Sequence, residues 1–282
     1  MSAERLLKVP RKLLYCLAVF VLAFPLFVPL RLPIAISKET KVFYEYMEDL
    51  RGTDAHVLII AMIPPPFWGE FRHLLFAILQ HLFLLEDVKI IIAPVFMAPT
   101  MALVHQVLDM VSNPLNKTYG KDYVVLSFIP AAIESTFAML SSDFRGSYQT
   151  DEFGTPIDEL PAMDGVNTIG DFDAVIWCEP ARWQPAVALY MYPKWPNVAY
   201  FGVLIAEGYY FATPYIGNVY KSAIWGIRMA AEYQQLYGGP YSGAEKQMDG
   251  LSLYHILGIA LIVVANVIYF AGRTKQKPQG KR

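Results

Sequence analysis

The chain has 282 residues, 55% hydrophobic and 17% charged, with 23 Lys+Arg against 25 Asp+Glu and two cysteines. The balance of −2 hides a net −10 over residues 31–250, and an acidic domain argues against nucleic acid as a partner, since phosphate neutralisation needs a basic face. Two cysteines are too few for a disulfide framework, and Cys16 and Cys178 read as reduced packing residues.

Residues 13–30 form the first apolar segment. As a helix of 18 residues it would measure about 27 Å, close to the roughly 30 Å hydrocarbon core of a bilayer. Arg5, Lys8, Arg11 and Lys12 precede it with one acid, Glu4. The bulky or cyclic run Phe24-Pro25-Leu26-Phe27-Val28-Pro29 offers no small-x-small cleavage site, which favours a retained anchor over a signal peptide. Pro25 and Pro29 remove backbone donors and loosen its outer end.

An apolar stripe of Val42, Phe43, Tyr46, Met47 and Leu50 predicts a helix over residues 39–51. Short runs rich in Val and Ile predict strands at 56–63, 88–95, 123–129, 174–178 and 198–205. Helical stretches are expected between them at 67–84, 100–111, 131–144 and 184–192, and a last long helix at 215–236 closes the domain. Near-continuous apolar strands alternating with helices are what a parallel sheet covered on both faces requires.

Both periodicities vanish between residues 146 and 172, where Asp151, Glu152, Asp158, Glu159 and Asp164 stand among glycines and prolines. A connection this long is functional or mobile as a rule. It reads either as a lid or docking surface, with carboxylates for a divalent cation, or as a solvated excursion from the sheet. No calcium-loop spacing supports the cation.

Residues 251–271 form the second apolar segment, about 32 Å long as a helix. Asn266, its one strongly polar residue deep in the run, bonds either within its own helix or across to another. Five basic residues and no acid follow it, so the positive-inside bias places both termini in the cytoplasm. The intervening residues 31–250 hold 14 Lys+Arg and 24 Asp+Glu, a net −10.

Most catalytic patterns fail. Ile63-Pro64-Pro65-Pro66-Phe67 stands where a dinucleotide site needs G-x-G-x-x-G, and prolines offer no amide donors to a pyrophosphate. No serine-hydrolase elbow, H-E-x-x-H or C-x-x-C occurs, so no cofactor and no metal is expected. His73, His81 and His105 read as helix-surface residues. Glu179, just past a strand, and Glu207, in the turn after another, are the best-placed polar residues. Ligands of open α/β sheets bind outside the strand carboxyl ends, which makes these two the pocket candidates. The alternative is a pair of solvated loop carboxylates. Fourteen aromatic residues between 183 and 237 imply core, an interface or headgroup contact.

The run Asp151-Glu152-Phe153-Gly154-Thr155-Pro156-Ile157-Asp158-Glu159-Leu160-Pro161-Ala162-Met163-Asp164-Gly165-Val166, with Asp171-Phe172-Asp173 and Ala230-Ala231-Glu232-Tyr233, resembles a family of uncharacterised prokaryotic membrane proteins. That resemblance implies an amino-terminal anchor, a Rossmann-like α/β domain and a carboxyl-terminal transmembrane helix, and it implies no activity.

The expectation is therefore an α/β protein with a Rossmann-like, mostly parallel sheet of about five strands covered by helices, flanked by two transmembrane helices. Basic cytoplasmic tails at 1–12 and 272–282 would bracket spans at 13–30 and 251–271 and an extracytoplasmic domain at 31–250 in the plasma membrane. The function expected is a non-enzymatic scaffold or assembly subunit. Its partners are the lipid bilayer and other membrane proteins or further copies of the chain. The alternative is a small-molecule binder or enzyme with its pocket at the strand carboxyl edge.

Overall fold

The computed structural model describes residues 10–275, so the outer parts of both basic tails lie outside the described residues. The chain divides into two compact units, Ile34–Pro240 and the pair Met1–Pro33 with Tyr241–Arg282.

The larger unit is built on six parallel strands in the order β3-β2-β1-β4-β5-β6. They are β1 (His56–Ala61), β2 (Lys89–Pro94), β3 (Tyr123–Val125), β4 (Ala174–Cys178), β5 (Ala199–Leu204) and β6 (Tyr220–Trp225). Four helices pack with them: α2 (Lys38–Asp49), α3 (Trp68–Phe83), α4 (Pro99–Leu108) and α5 (Ile133–Ser142). All of β4 and β5 is buried, as a sheet covered on both faces demands. On one face Leu58, Ile91, Val175, Trp177 and Tyr200 pack with Phe137 and Leu140 of α5. On the other, the Phe43 ring of α2 lies 4.7 Å from that of Phe201 on β5.

The sixth strand replaces the first part of the helix expected at 215–236. Only Gly226–Tyr237, α6, is helical. The small residues Ser222 and Ala223 that looked helical are buried strand positions, and the Ser222 hydroxyl donates to the Glu39 carbonyl (2.7 Å). Being an edge strand, β6 carries an exposed Lys221, where the pairing with β5 also shifts register. Gly226 turns the chain from β6 into α6 at φ +66°, a conformation that costs an L side chain strain. The stretch expected as a helix at 184–192 holds a π-helical turn, Val187–Met191.

The segment 146–172 is neither an excursion nor a loose lid. Ile157, Leu160, Ala162, Met163, Val166, Ile169 and Phe172 are buried against the α5 face of the sheet. Arg145 ties the segment by donating to the carbonyls of Met163 and Val166 and to Asp158.

In the smaller unit α1 (Arg11–Phe27) packs against α7 (Gly243–Lys275). A Cβ at Gly250 would lie 3.0 Å from the Leu22 carbonyl oxygen, so glycine permits this approach. Asp249 accepts from the backbone N–H groups of Arg31 and Leu32 (both 2.9 Å) and from the Tyr241 hydroxyl (2.6 Å). Among the described residues one helix, not two, is long and apolar enough to cross a membrane: α7, over Gly243–Phe270. The first apolar segment falls short because its helix has 17 residues and ends at Phe27, where Val28 turns extended. Asn266 donates to the Ile262 carbonyl one turn back in its own helix (3.0 Å).

Candidate functional site

The order β3-β2-β1-β4-β5-β6 puts its switch point between β1 and β4, where the connections leave in opposite directions and open a crevice at the strand carboxyl ends. A cavity of about 510 Å³ occupies that place. Its walls come from the residues after β1 (Met62, Pro64, Phe67), β2 (Phe96, Met97), β4 (Glu179 to Trp183) and β5 (Ile205, Glu207, Phe211). Both sequence candidates, Glu179 and Glu207, are brought to this one cavity.

Glu179 is fully buried. Its Oε2 accepts from the Ala181 N–H (2.8 Å), while no group meets its Oε1 at hydrogen-bond geometry. The Gln184 side chain, close enough to act on this carboxyl, is likewise buried with both amide atoms unpartnered. Burial pushes its carboxyl up to about 7, against the backbone N–H groups of Ala181, Trp183 and Gln184 and the Gln184 side chain, which pull it back. Glu207 is exposed, as is Arg182, the one basic residue on the cavity wall. Trp183 helps fix the wall, since its carbonyl accepts from the indole N–H of Trp177 on β4 (3.1 Å).

Phe96 was not foreseen as a site residue. It holds φ at +63°, a left-handed conformation rare for a bulky residue, and its N–H donates to the Ile129 carbonyl (3.0 Å). That strain stands on the cavity wall, and strained backbone gathers at functional sites. Nothing in sequence marks such a φ. The strand-end rule, applied to β1 and β2 as it was to β4 and β5, would have found Met62, Phe96 and Met97.

The head of α3 is unsuited to phosphate. Pro64, Pro65 and Pro66 supply no N–H groups, and Glu70 in the first turn holds the Ala206 N–H (2.8 Å). The cavity residues include no Ser, Thr, Cys, His or Lys, which leaves the carboxylates of Glu179 and Glu207 as the groups with nucleophile or base chemistry. Cys178 lies behind them, and burial pushes its thiol up, away from the reactive thiolate.

The acidic-segment candidates do not converge. Asp151 is buried and accepts from the N–H groups of Phe153 (2.9 Å) and Thr155 (2.8 Å). Glu152 pairs with His105 (2.5 Å), Asp158 bonds Arg145, and Glu159 and Asp164 are exposed. Among the described residues no three His, Cys, Asp or Glu side chains are grouped to hold a metal ion. His73 and His81, expected on a helix surface, are buried. His81 bonds Glu48 (2.7 Å) and the Tyr233 hydroxyl (2.9 Å), and its ring stacks on Tyr44 and Tyr237.

The fold and cavity define an α/β protein of doubly wound type with an apolar crevice at its switch point. Comparison with protein-family models, curated proteins and solved structures finds no match for the chain.

Proposed function

We propose that the protein is a membrane-tethered binder of a small organic molecule, held in the crevice at the carboxyl edge of the sheet. The observation that carries this reading is the cavity itself, with an apolar wall and one fully buried carboxylate that keeps an unpartnered oxygen. Its 510 Å³ lies within the range of small-molecule sites, roughly 300–1,000 Å³. The scaffold reading loses support by comparison. Tyr200, Phe201, Tyr220 and Tyr233, which contribute to the aromatic density behind it, are core residues.

α7 is the tether in this proposal, with α1 as a shorter second pass beside it in the plasma membrane. Because the start of α7 lies against the end of α1, the outer ends of both helices point the same way. Together with the basic residues at positions 5–12 and 273–282, this supports cytoplasmic termini and a domain on the other side.

The test is to purify the full chain and an Ala181→Trp variant, which fills the cavity, and to extract both with organic solvent for mass spectrometry. A compound carried by the wild type and lost from the variant is expected. Equal extracts from both, with no small molecule responding to the variant in a thermal-shift screen, would sink the reading.

A further inference from the structure

Building on the crevice reading, we infer that the ligand is an organic amine, a cationic nitrogen carried on an apolar ring-bearing body. Of the residues that line the cavity, the one with a buried polar atom lacking a partner is Glu179, through its acceptor Oε1; the unpartnered Gln184 amide beside it is not among them. No lining hydroxyl, amide or imidazole offers a donor, and the one guanidinium, Arg182, is exposed. Glu207 adds a second carboxylate to the same wall, so carboxylates outnumber basic groups two to one.

A buried carboxylate costs free energy when ionised unless a positive partner and a hydrogen-bond donor meet it. An ammonium group supplies both at once. The remaining wall suits the same group, since it includes the aromatic residues Phe67, Phe96, Trp183 and Phe211, and aromatic rings attract a desolvated cation. Anionic ligands meet the opposite arrangement, because the α3 head has prolines in place of donors and Glu70 in its first turn.

Water does not reach Oε1 in this conformation, so an entering ammonium must displace the atoms that cover it. Met62 and Met97 line the cavity and are unbranched and adaptable, the kind of residue that yields.

The experiment uses three probes with one naphthyl body: 2-(1-naphthyl)ethylamine, 2-(1-naphthyl)ethanol and 1-naphthylacetate. Each is titrated by calorimetry into the full chain in detergent, with Ala181→Trp in the same detergent as the blank for micelle partitioning. At about pH 8 the amine is expected to bind about tenfold tighter than the alcohol, with the acid weakest. Glu179→Gln should bring amine and alcohol to within about threefold of each other.

A second measurement covers the case in which that variant misfolds. In the wild type the amine's affinity should rise from about pH 6 to about pH 8, as Glu179 ionises, while the alcohol's stays level. Arg182 and Glu207 share the cavity. Cys178 behind it and Tyr220 on β6 are both pushed up by burial and do not titrate in that window. If the alcohol or the acid binds as tightly as the amine and Ala181→Trp abolishes it, the amine inference falls and the crevice stands. If no probe binds in a way that Ala181→Trp removes, both fall.

Discussion

Ser37 gives its backbone N–H (2.9 Å) and its hydroxyl (2.6 Å) to a single oxygen, Oε2 of Glu232. The Thr40 hydroxyl adds a third bond to that atom (2.9 Å), and Arg228 donates to the other oxygen (2.9 Å). Ser37 is also the N-cap of α2, so one buried carboxylate of α6 fixes where that helix begins. Glu232→Ala would take this acceptor from the buried Thr40 hydroxyl and from the half-buried Ser37 hydroxyl and N–H, a loss of about 3 kcal/mol. A melting temperature lowered by roughly 6–12 °C is expected. Thermal unfolding of the detergent-solubilised chain measures it, and a shift under about 2 °C would mean that water replaces the carboxylate.

Stability should depend on pH in two opposite ways. Burial lowers His73 from 6.5 to about 4 and also lowers His81, so the unfolded chain takes up protons that the folded one refuses. Their contribution is full above about pH 6.5 and is lost as pH falls toward 4. Glu179 has the reverse sign, because its folded value is raised to about 7. Its contribution is full below the unfolded carboxyl range, near 4.5, and is lost as pH rises through 7. Both act between about pH 4 and 7 with opposite slopes, so over that range Glu179→Gln should make the melting temperature rise more steeply with pH, and His73→Phe less steeply. Identical profiles for wild type and both variants would contradict these assignments.

The sheet was legible where its strands are continuous runs of Val, Ile and Leu, as in β1 and β2, because burial on both faces leaves no room for polar residues. β6 was not legible for the same physical reason in reverse. An edge strand tolerates Lys221 and small Ser222 and Ala223, and its outline merges with that of the helix behind it. The core packing of residues 146–172 was hidden because irregular backbone buries side chains without a period. Asp151 and Asp171 hold it through bonds to nearby N–H groups. Glu179 and Glu207 could be placed because strand ends are readable, whereas the strain at Phe96 is a property of the folded backbone alone.

Phe96 separates stability from binding. Its left-handed backbone costs about 1–2 kcal/mol, and its ring is 42% exposed, so packing recovers only part of that. Phe96→Gly should leave the melting temperature unchanged or slightly higher, since glycine adopts this φ freely at an entropic cost near 1 kcal/mol. The same change removes an aromatic wall and should weaken naphthylethylamine about threefold to tenfold. Calorimetry and thermal unfolding on one preparation decide it. A marked fall in melting temperature would make Phe96 a packing residue instead.

α7 and α1 differ in what a membrane asks of them. Ile259, Ile262, Val263, Val267 and Phe270 of α7 are all more than half exposed, so the helix has no protein core to enter and its backbone bonds are satisfied along its own length. Asn266 obeys the same demand by donating to Ile262. A single arginine near the middle of such a helix costs about 2.5–3.5 kcal/mol of insertion free energy. Val263→Arg should thus raise the share of chain released from membranes by alkaline carbonate. In α1, with 17 residues and Pro25 near its end, Val19→Arg should release less, because α7 still holds the chain. Release by Val19→Arg with none by Val263→Arg would make α1 the anchor, and the close approach of Gly250 to Leu22 would then serve to dock α7 on it.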